Sequence, residues 1–258
     1  MGSLPKKGAG AAHLHQRLIK SSLKTMVALK NENALSVSLG AFDIRVPDGV
    51  VIEHVTGDST HAMVLKKGLR LILHAGAPGK AYLARLPAKE LDDVLNRLQL
   101  TRFTENTITT RAGLLEELAI VRKQGYAVDN SEYVTYTGCV GAAILDRAHY
   151  PIGAIWIHGM MQYLEQKNID KLGTQVVRAA RQITINMQKS QYQSQKEYAD
   201  FVIRHVRQHL ASDLSSCADI KALARQYHIS YSTLGHWFKE KVGCGPNQYH
   251  LQMRLGVR

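Results

Sequence analysis

The chain has 258 residues, 45% of them hydrophobic, enough for one large domain or a medium domain plus a small one, and no apolar run approaches a membrane span or a signal peptide. Three widely spaced cysteines, Cys139, Cys217 and Cys244, supply neither a disulfide framework nor CxxC zinc spacing, so a reducing cytoplasm is expected and neither a metal nor a cofactor is implied. The formal net charge of +12 is concentrated at the ends: residues 1–30 carry six Lys/Arg and no acid, residues 196–258 nine against five, and residues 31–195 eighteen against sixteen. Basic ends around a near-neutral centre point to a polyanion, most commonly nucleic acid, with solubility alone as the competing reading.

Residues 1–12 read as a flexible lead. From His13 to Lys30 the spacing predicts a helix, with Leu14, Leu18, Ile19, Leu23, Met26 and Val27 near one face and basic residues opposite. Such a helix can lie on an anionic membrane; packing on a sheet is the preferred reading. Strand-like pieces follow, "ALSVSL" (34–39), "GVVIEHV" (49–55) and "LRLIL" (69–73), separated by Pro-Asp-Gly, Gly-Asp-Ser and Lys-Lys-Gly turn signals.

The next stretch, "LHAGAPGKAYLA" (73–84), has the glycines and lysine of a phosphate-binding loop. A P-loop needs a glycine five residues before its Gly-Lys pair and a Ser or Thr after it. His74 and Ala81 occupy those positions, so an ATP site is excluded. Helical pattern then dominates, in "PAKELDDVLNRL" (87–98) and "TRAGLLEELAIVRKQG" (110–125), with Gly125 closing the second. A second block of strands is expected at "YVTYTG" (133–138), "CVGAAILD" (139–146) and "PIGAIWIHG" (151–159), then a helix over 169–188. "KSQYQSQK" (189–196) reads as a linker, extended or helical.

Beyond the linker, "EYADFVIRHVRQHLA" places Tyr198, Phe201, Val202, Val206 and Leu210 on one stripe. "ADIKALARQY", the turn "HIS" and "YSTLGHWFKEKVG" then read as two helices sharing apolar residues, with Ile220, Leu223 and Ala224 meeting Leu234, Trp237 and Phe238, and Ile229 plugging the turn. That pattern is a helix-turn-helix, whose second helix can enter a major groove. Trp237 and Phe238 are read as core.

The segment 219–255 resembles the first helix-turn-helix of the AraC family of transcription regulators. The likeness rests on the spacing of Ala224, Ser230, Leu234, Phe238 and Lys239, then Gly243, Pro246, Tyr249 and Arg254. It implies DNA-contacting positions at Ser232, Gly235 and His236, with Tyr231, Thr233 and Lys239 nearby. Hydroxyls and an imidazole can read base edges or phosphates, and a lysine neutralises a phosphate. Family members normally carry two such motifs, so a single motif per chain calls for a dimer.

Residues 13–188 resemble the effector-binding domain of the IclR family. The likeness is carried by "GLRLILHAGAPGKAYLARLP" (68–87), "LTRFTENTITTRAGLLEELAIVRKQGYAVDNSEY" (100–133) and "GCVGAAILDRAHYPIGAIWIHG" (138–159), in that order. It implies an α+β fold, a curved antiparallel sheet with flanking helices related to GAF-type sensors, ahead of a small all-α helix-turn-helix domain at 197–258. It also implies an effector pocket at Ala77, Pro78, Asp129, Cys139, Trp156 and His158. Backbone amides at the start of the 78–84 helix would favour a carboxylate, although Pro78 removes one. An indole and an imidazole at 156 and 158 would either fill the pocket or stack on a flat ligand. IclR regulators typically carry a winged helix ahead of the sensor, so the AraC-like motif at the other end is expected to replace it.

The resulting expectation is a cytoplasmic, ligand-responsive transcription regulator. It would bind double-stranded promoter or operator DNA and a small organic or aromatic acid, as a homodimer or tetramer away from membranes. Two rivals stand beside it. One is a thiol-dependent small-molecule hydrolase using Cys139 and His158 as a thiol-imidazole pair, against the commoner reading of a strand cysteine as a buried small hydrophobe. The other is an interaction module that has lost DNA binding.

Overall fold

The computed structural model describes residues 9–58, 62–212, 219–227 and 229–255. Most of the expected lead, Ser59 of the Gly-Asp-Ser turn, Cys217 and His228 lie outside the described residues. Contacts divide the chain into two compact units, Met1–Ser190 and Gln191–Arg258.

The first unit is built on a six-stranded sheet of order β3-β2-β1-β6-β5-β4. Strands β1 (Ser36–Asp43) and β2 (Asp48–Val55) form one antiparallel hairpin, and β5 (Thr137–Leu145) and β6 (Pro151–Met160) form another. The hairpins join through antiparallel pairing of β1 with β6. The edges are β3 (Arg70–Leu71) and β4 (Ala127–Asn130).

Period-two alternation sorts the side chains between two faces. Val37, Leu39, Ile155, Ile157, Val140, Ala142 and Ile144 form one core with α1 (Ala9–Asn33), α5 (Met161–Gln166) and the first part of α6 (Ile169–Ser212). Helix α1 contributes the fully buried Leu18 and Met26, the behaviour of a helix packed on a sheet, while Leu23 and Val27 stay exposed. No described helix is long and apolar enough to cross a membrane. The other face packs under α2 (Ala77–Leu83), α3 (Ala88–Arg97) and α4 (Arg111–Gln124), burying Val51, Leu73, Tyr82, Leu83, Leu91, Leu114, Leu118 and Trp156. Helix α4 begins at Thr110, whose side chain accepts the Gly113 amide hydrogen, and ends at Gly125 in the left-handed region, the two caps its sequence calls for.

Two sequence expectations for the first unit need correction. The "LRLIL" strand shrinks to two residues because the chain must turn after Leu71 into α2. Helix α2 approaches so closely that a Cβ on Gly79 would lie 2.4 Å from the Leu73 carbonyl oxygen. The glycine of the Gly-Lys pair therefore serves the close packing of α2 on the segment that leads into it. The segment 133–138 is mostly a turn, with positive φ at Ser131 and Tyr136, and the strand pairing with β5 is β4 instead.

Residues 189–196, expected as a linker, have helical backbone within α6. In the second unit α6 contributes Val202, Ile203, Val206 and Leu210 to a core with α7 (Ile220–Gln226) and α8 (Tyr231–Val242). The stripe is shifted from the expected one: Ile203 faces inward, whereas Tyr198 and Phe201 are exposed. Phe238 is buried and Trp237 partly so. Helix α9 (Pro246–Leu255) completes the unit, with Tyr249 packing on Phe238.

Candidate functional site

Strand register gathers the chemistry onto the face roofed by α2. One row across the sheet reads Asp129, Cys139, His158, Ser36; the next reads Ala127, Gly141, Trp156, Ser38, His54. Four of the six expected effector positions, Asp129, Cys139, Trp156 and His158, thus lie in two adjacent rows. Ala77 and Pro78 sit over them: a Cβ on Gly141 would lie 3.4 Å from the Pro78 nitrogen, and the Ala77 amide faces the Cys139 sulfur.

The rows are enclosed by their own side chains. Trp156 is 1% exposed, His158 3% and Cys139 7%. The indole rests against the backbone of β1, where a Cβ on Gly40 would come within 3.1 Å of its ring. A separate open cavity of about 410 Å³ lies between α3 and α4, lined by Leu86, Leu91, Leu95, Arg111 and Leu115 among others, and includes none of the expected effector residues.

Burial dictates the protonation states. Burial and the neighbouring His54 push the His158 imidazole down to about 3, so the ring is neutral. Burial, opposed by the Glu132 amide that bonds Asp129, leaves that carboxyl raised to about 6. Burial also drives the Cys139 thiol well above its usual range, and its sulfur lies 3.6 Å from Asp129 Oδ2. His158 Nε2 contacts Ser38 Oγ at 2.9 Å. The thiol-imidazole pair of the rival hydrolase reading is therefore not formed, although the two residues are direct cross-strand partners. A thiol pushed up beside a carboxylate is the reverse of an activated nucleophile.

Six residues of this region were not foreseen as site residues. Ser38 Oγ bridges His158 Nε2 and His54 Nδ1, at 2.9 and 2.8 Å. Lys80 is 1% exposed and pairs with Glu132 at 2.5 Å and Glu117 at 2.9 Å. Burial alone would depress Lys80, but the two carboxylates outweigh it and the ammonium stays charged. Next to this cluster, His74 Nε2 bonds the Thr101 carbonyl. The side-chain atoms His54 Nε2, His158 Nδ1, His74 Nδ1 and Glu132 Oε2 are buried without a partner. Hairpin register pairs Ser38 with His54, and the β1–β6 pairing between hairpins sets them beside His158; the ion pair depends on the 131–136 turn that the sequence presented as strand. A carboxylate effector, as expected from the sequence, would meet only one buried ammonium here, already shared by two glutamates.

In the second unit, α8 follows Ser230, whose hydroxyl accepts the Thr233 amide hydrogen at 3.0 Å and lies 2.9 Å from the Ser232 hydroxyl. Tyr231, Ser232, His236 and Lys239 are exposed; Thr233 and Gly235 are half-buried. His236 Nε2 lies 3.9 Å from Glu240, one turn on. A Cβ on Gly235 would meet no atom within 4 Å. All six expected DNA-contacting positions therefore fall on the first three turns of one helix.

An antiparallel sheet with helices on both faces, one helical layer roofing a polar row, defines the GAF-like class of α+β domain. Residues 11–185 match the family described as bacterial transcriptional regulator IclR C-terminal, and the chain belongs to that family. It is 30% identical over 159 residues to the transcriptional repressor IclR of Escherichia coli K12, a match covering 61% of this chain and 57% of the repressor. It is 31% identical over 175 residues to the HTH-type transcriptional repressor AllR of Klebsiella pneumoniae, covering 68% of this chain and 59% of that protein. The crystal structure of the Thermotoga maritima IclR superposes with a TM-score of 0.64 at 30% identity, covering 69% of this chain and 72% of that one. The chain thus spans less than two thirds of the length of these curated relatives.

Proposed function

We propose that the protein is a ligand-responsive transcription regulator in which residues 13–188 sense a small organic molecule and residues 197–258 read double-stranded promoter DNA. The observation that carries this reading is the enclosed polar row in a domain of the IclR family, with partnerless polar atoms on His158 of that row and on Glu132, which pairs with Lys80 of α2. Ala77, Pro78, Asp129, Cys139, Trp156 and His158 are the effector positions. Helices α7 and α8 act as an AraC-type helix-turn-helix, and Tyr231, Ser232, Thr233, Gly235, His236 and Lys239 face the DNA. The protein acts as a homodimer or tetramer, in the cytoplasm, and the ligand shifts operator affinity by preferring one arrangement of the assembly.

The test is a salt series of binding to the promoter fragment upstream of the coding sequence and to a scrambled fragment. Selective binding is expected. His236→Ala should relax base preference, whereas Lys239→Ala should weaken both fragments and reduce the salt slope by about one. Equal affinity for the two fragments would reject the regulator in favour of an interaction module that does not read DNA.

A further inference from the structure

The ligand class follows from what the buried row offers as donors and acceptors. Both rings of the bridged pair are held neutral by burial, His54 less strongly than His158. The Ser38 hydroxyl has one hydrogen, so it satisfies both rings only by donating to one and accepting from the other. If it donates to His158 Nε2, then His158 Nδ1 carries a hydrogen and His54 Nε2 carries a lone pair; in the alternative arrangement these roles are exchanged. In both, the outer nitrogens of the pair have opposite polarity, and both are buried without a partner.

Acceptors otherwise prevail. His74 donates from Nε2 to the Thr101 carbonyl, which leaves Nδ1 a buried lone pair. Glu132 Oε2 is a second partnerless acceptor on a side chain of a residue only 6% exposed. Lys80 faces Glu117 and Glu132, with Asp129 adding a third carboxyl. A ligand carboxylate would bring acceptors to a site short of donors and already in negative excess, and leaving buried charge uncompensated is costly.

We propose that the row beneath α2 is built for an uncharged planar ligand with an amide or lactam edge, an N–H beside a C=O, with the Ser38-bridged His54–His158 pair as its specificity determinant. The N–H serves whichever outer nitrogen or carboxylate oxygen accepts, and the C=O takes the hydrogen the pair presents. Because a concerted proton shift through Ser38 exchanges donor and acceptor ends, the pair can match the amide edge in either orientation. Trp156, in the same row as Ser38, supplies the aromatic wall. This inference rests on the reading of the row as the effector site.

The chain contains two tryptophans, so Trp237→Phe leaves Trp156 as the single indole reporter. The probes are benzamide against benzoate, nicotinamide against nicotinate, and the lactam 2-quinolone, titrated at neutral pH into the full-length Trp237→Phe protein while its indole emission is followed. The amides and the lactam should saturate the signal and bind at least about tenfold more tightly than the acids, roughly one good buried hydrogen bond. Ser38→Ala should remove the preference, and His54→Gln, at a partly exposed position, should reduce it, with the thermal unfolding of each variant recorded alongside. Tighter binding of the acids, no response to any probe, or a preference that survives both substitutions would overturn the ligand class. An amide that binds yet leaves promoter affinity unchanged would count instead against the regulator reading, and leave the ligand class standing.

Discussion

Replacing Lys80 by methionine tests the internal electrostatics of the sensor unit. The side chain is 1% exposed, and Met fills a similar volume, so packing changes little and the charge is what is lost. Glu117 is 24% exposed at its side chain and can turn to water, whereas Glu132, at 7%, cannot. Breaking a buried pair by removing one partner costs about 3–5 kcal/mol, and with one solvated glutamate the lower half applies. For a unit of this size that corresponds to a fall in Tm of very roughly 6–16 °C. The deficit also depends on pH. Without the ammonium, the folded-state pKa of Glu132 rises further above its unfolded value, so the folded state is favoured at low pH and loses stability as pH rises through that pKa. Lys80→Met should therefore be closer to wild type near pH 5 than near pH 8. Adding Glu132→Gln should recover part of the loss. Thermal unfolding of the four proteins of this double-mutant cycle at both pH values provides the measurement. Additive losses with no pH dependence would refute the argument, because they would mean that Lys80 and Glu132 do not share a buried interaction.

Three further predictions follow from single positions. Asp129 has a folded-state pKa of about 6, above the unfolded value, so its contribution favours folding below about pH 4 and is lost as pH rises through 6; Asp129→Asn should raise stability at pH 8 by about 2–3 kcal/mol and have little effect at pH 4, read from urea unfolding at each pH. Cys139, buried with its thiol pushed up, should resist iodoacetamide at neutral pH, and rapid labelling that His158→Ala abolishes would restore the hydrolase reading. Gly235 meets no protein atom where a Cβ would stand, so Gly235→Ala should stabilise α8 by about 1 kcal/mol; loss of promoter binding in that more stable variant would show that the position lies against DNA, and unchanged binding would remove Gly235 from the interface.

Most of the sheet was readable because its strands are short apolar runs rich in Val and Ile and separated by strong turn signals, and α4 because both its caps are written in Thr110 and Gly125. The failures have specific physical causes. "YVTYTG" carries β-forming residues, yet the chain must reverse at Ser131 and Tyr136 to bring Glu132 to Lys80. "KSQYQSQK", by contrast, was read as a linker that could be extended or helical, and the helical form holds: α6 runs through it where the two units divide. The Phe201 stripe was displaced because a helix with several apolar residues in succession admits more than one inward face, and packing against α7 and α8 selects Ile203. In the site, the family likeness supplied Asp129, Cys139, Trp156 and His158, residues of one sheet face. Ser38 and His54 come from the other hairpin, and only the β1–β6 register brings them alongside. The Gly-Lys pair was conspicuous in the sequence, but its meaning, a close approach of α2 to the Leu73 backbone and a buried ion pair, is a tertiary fact.

The central claim is that occupancy of the row beneath α2 and binding of promoter DNA are coupled. Its most direct test is calorimetric titration of an amide probe that perturbs Trp156 into the protein alone and into its promoter complex, paired with promoter affinity measured at zero and saturating probe. The account predicts that the two affinities change by the same factor, as linkage requires of coupled sites. A probe that saturates the Trp156 signal and leaves promoter affinity unchanged would contradict it.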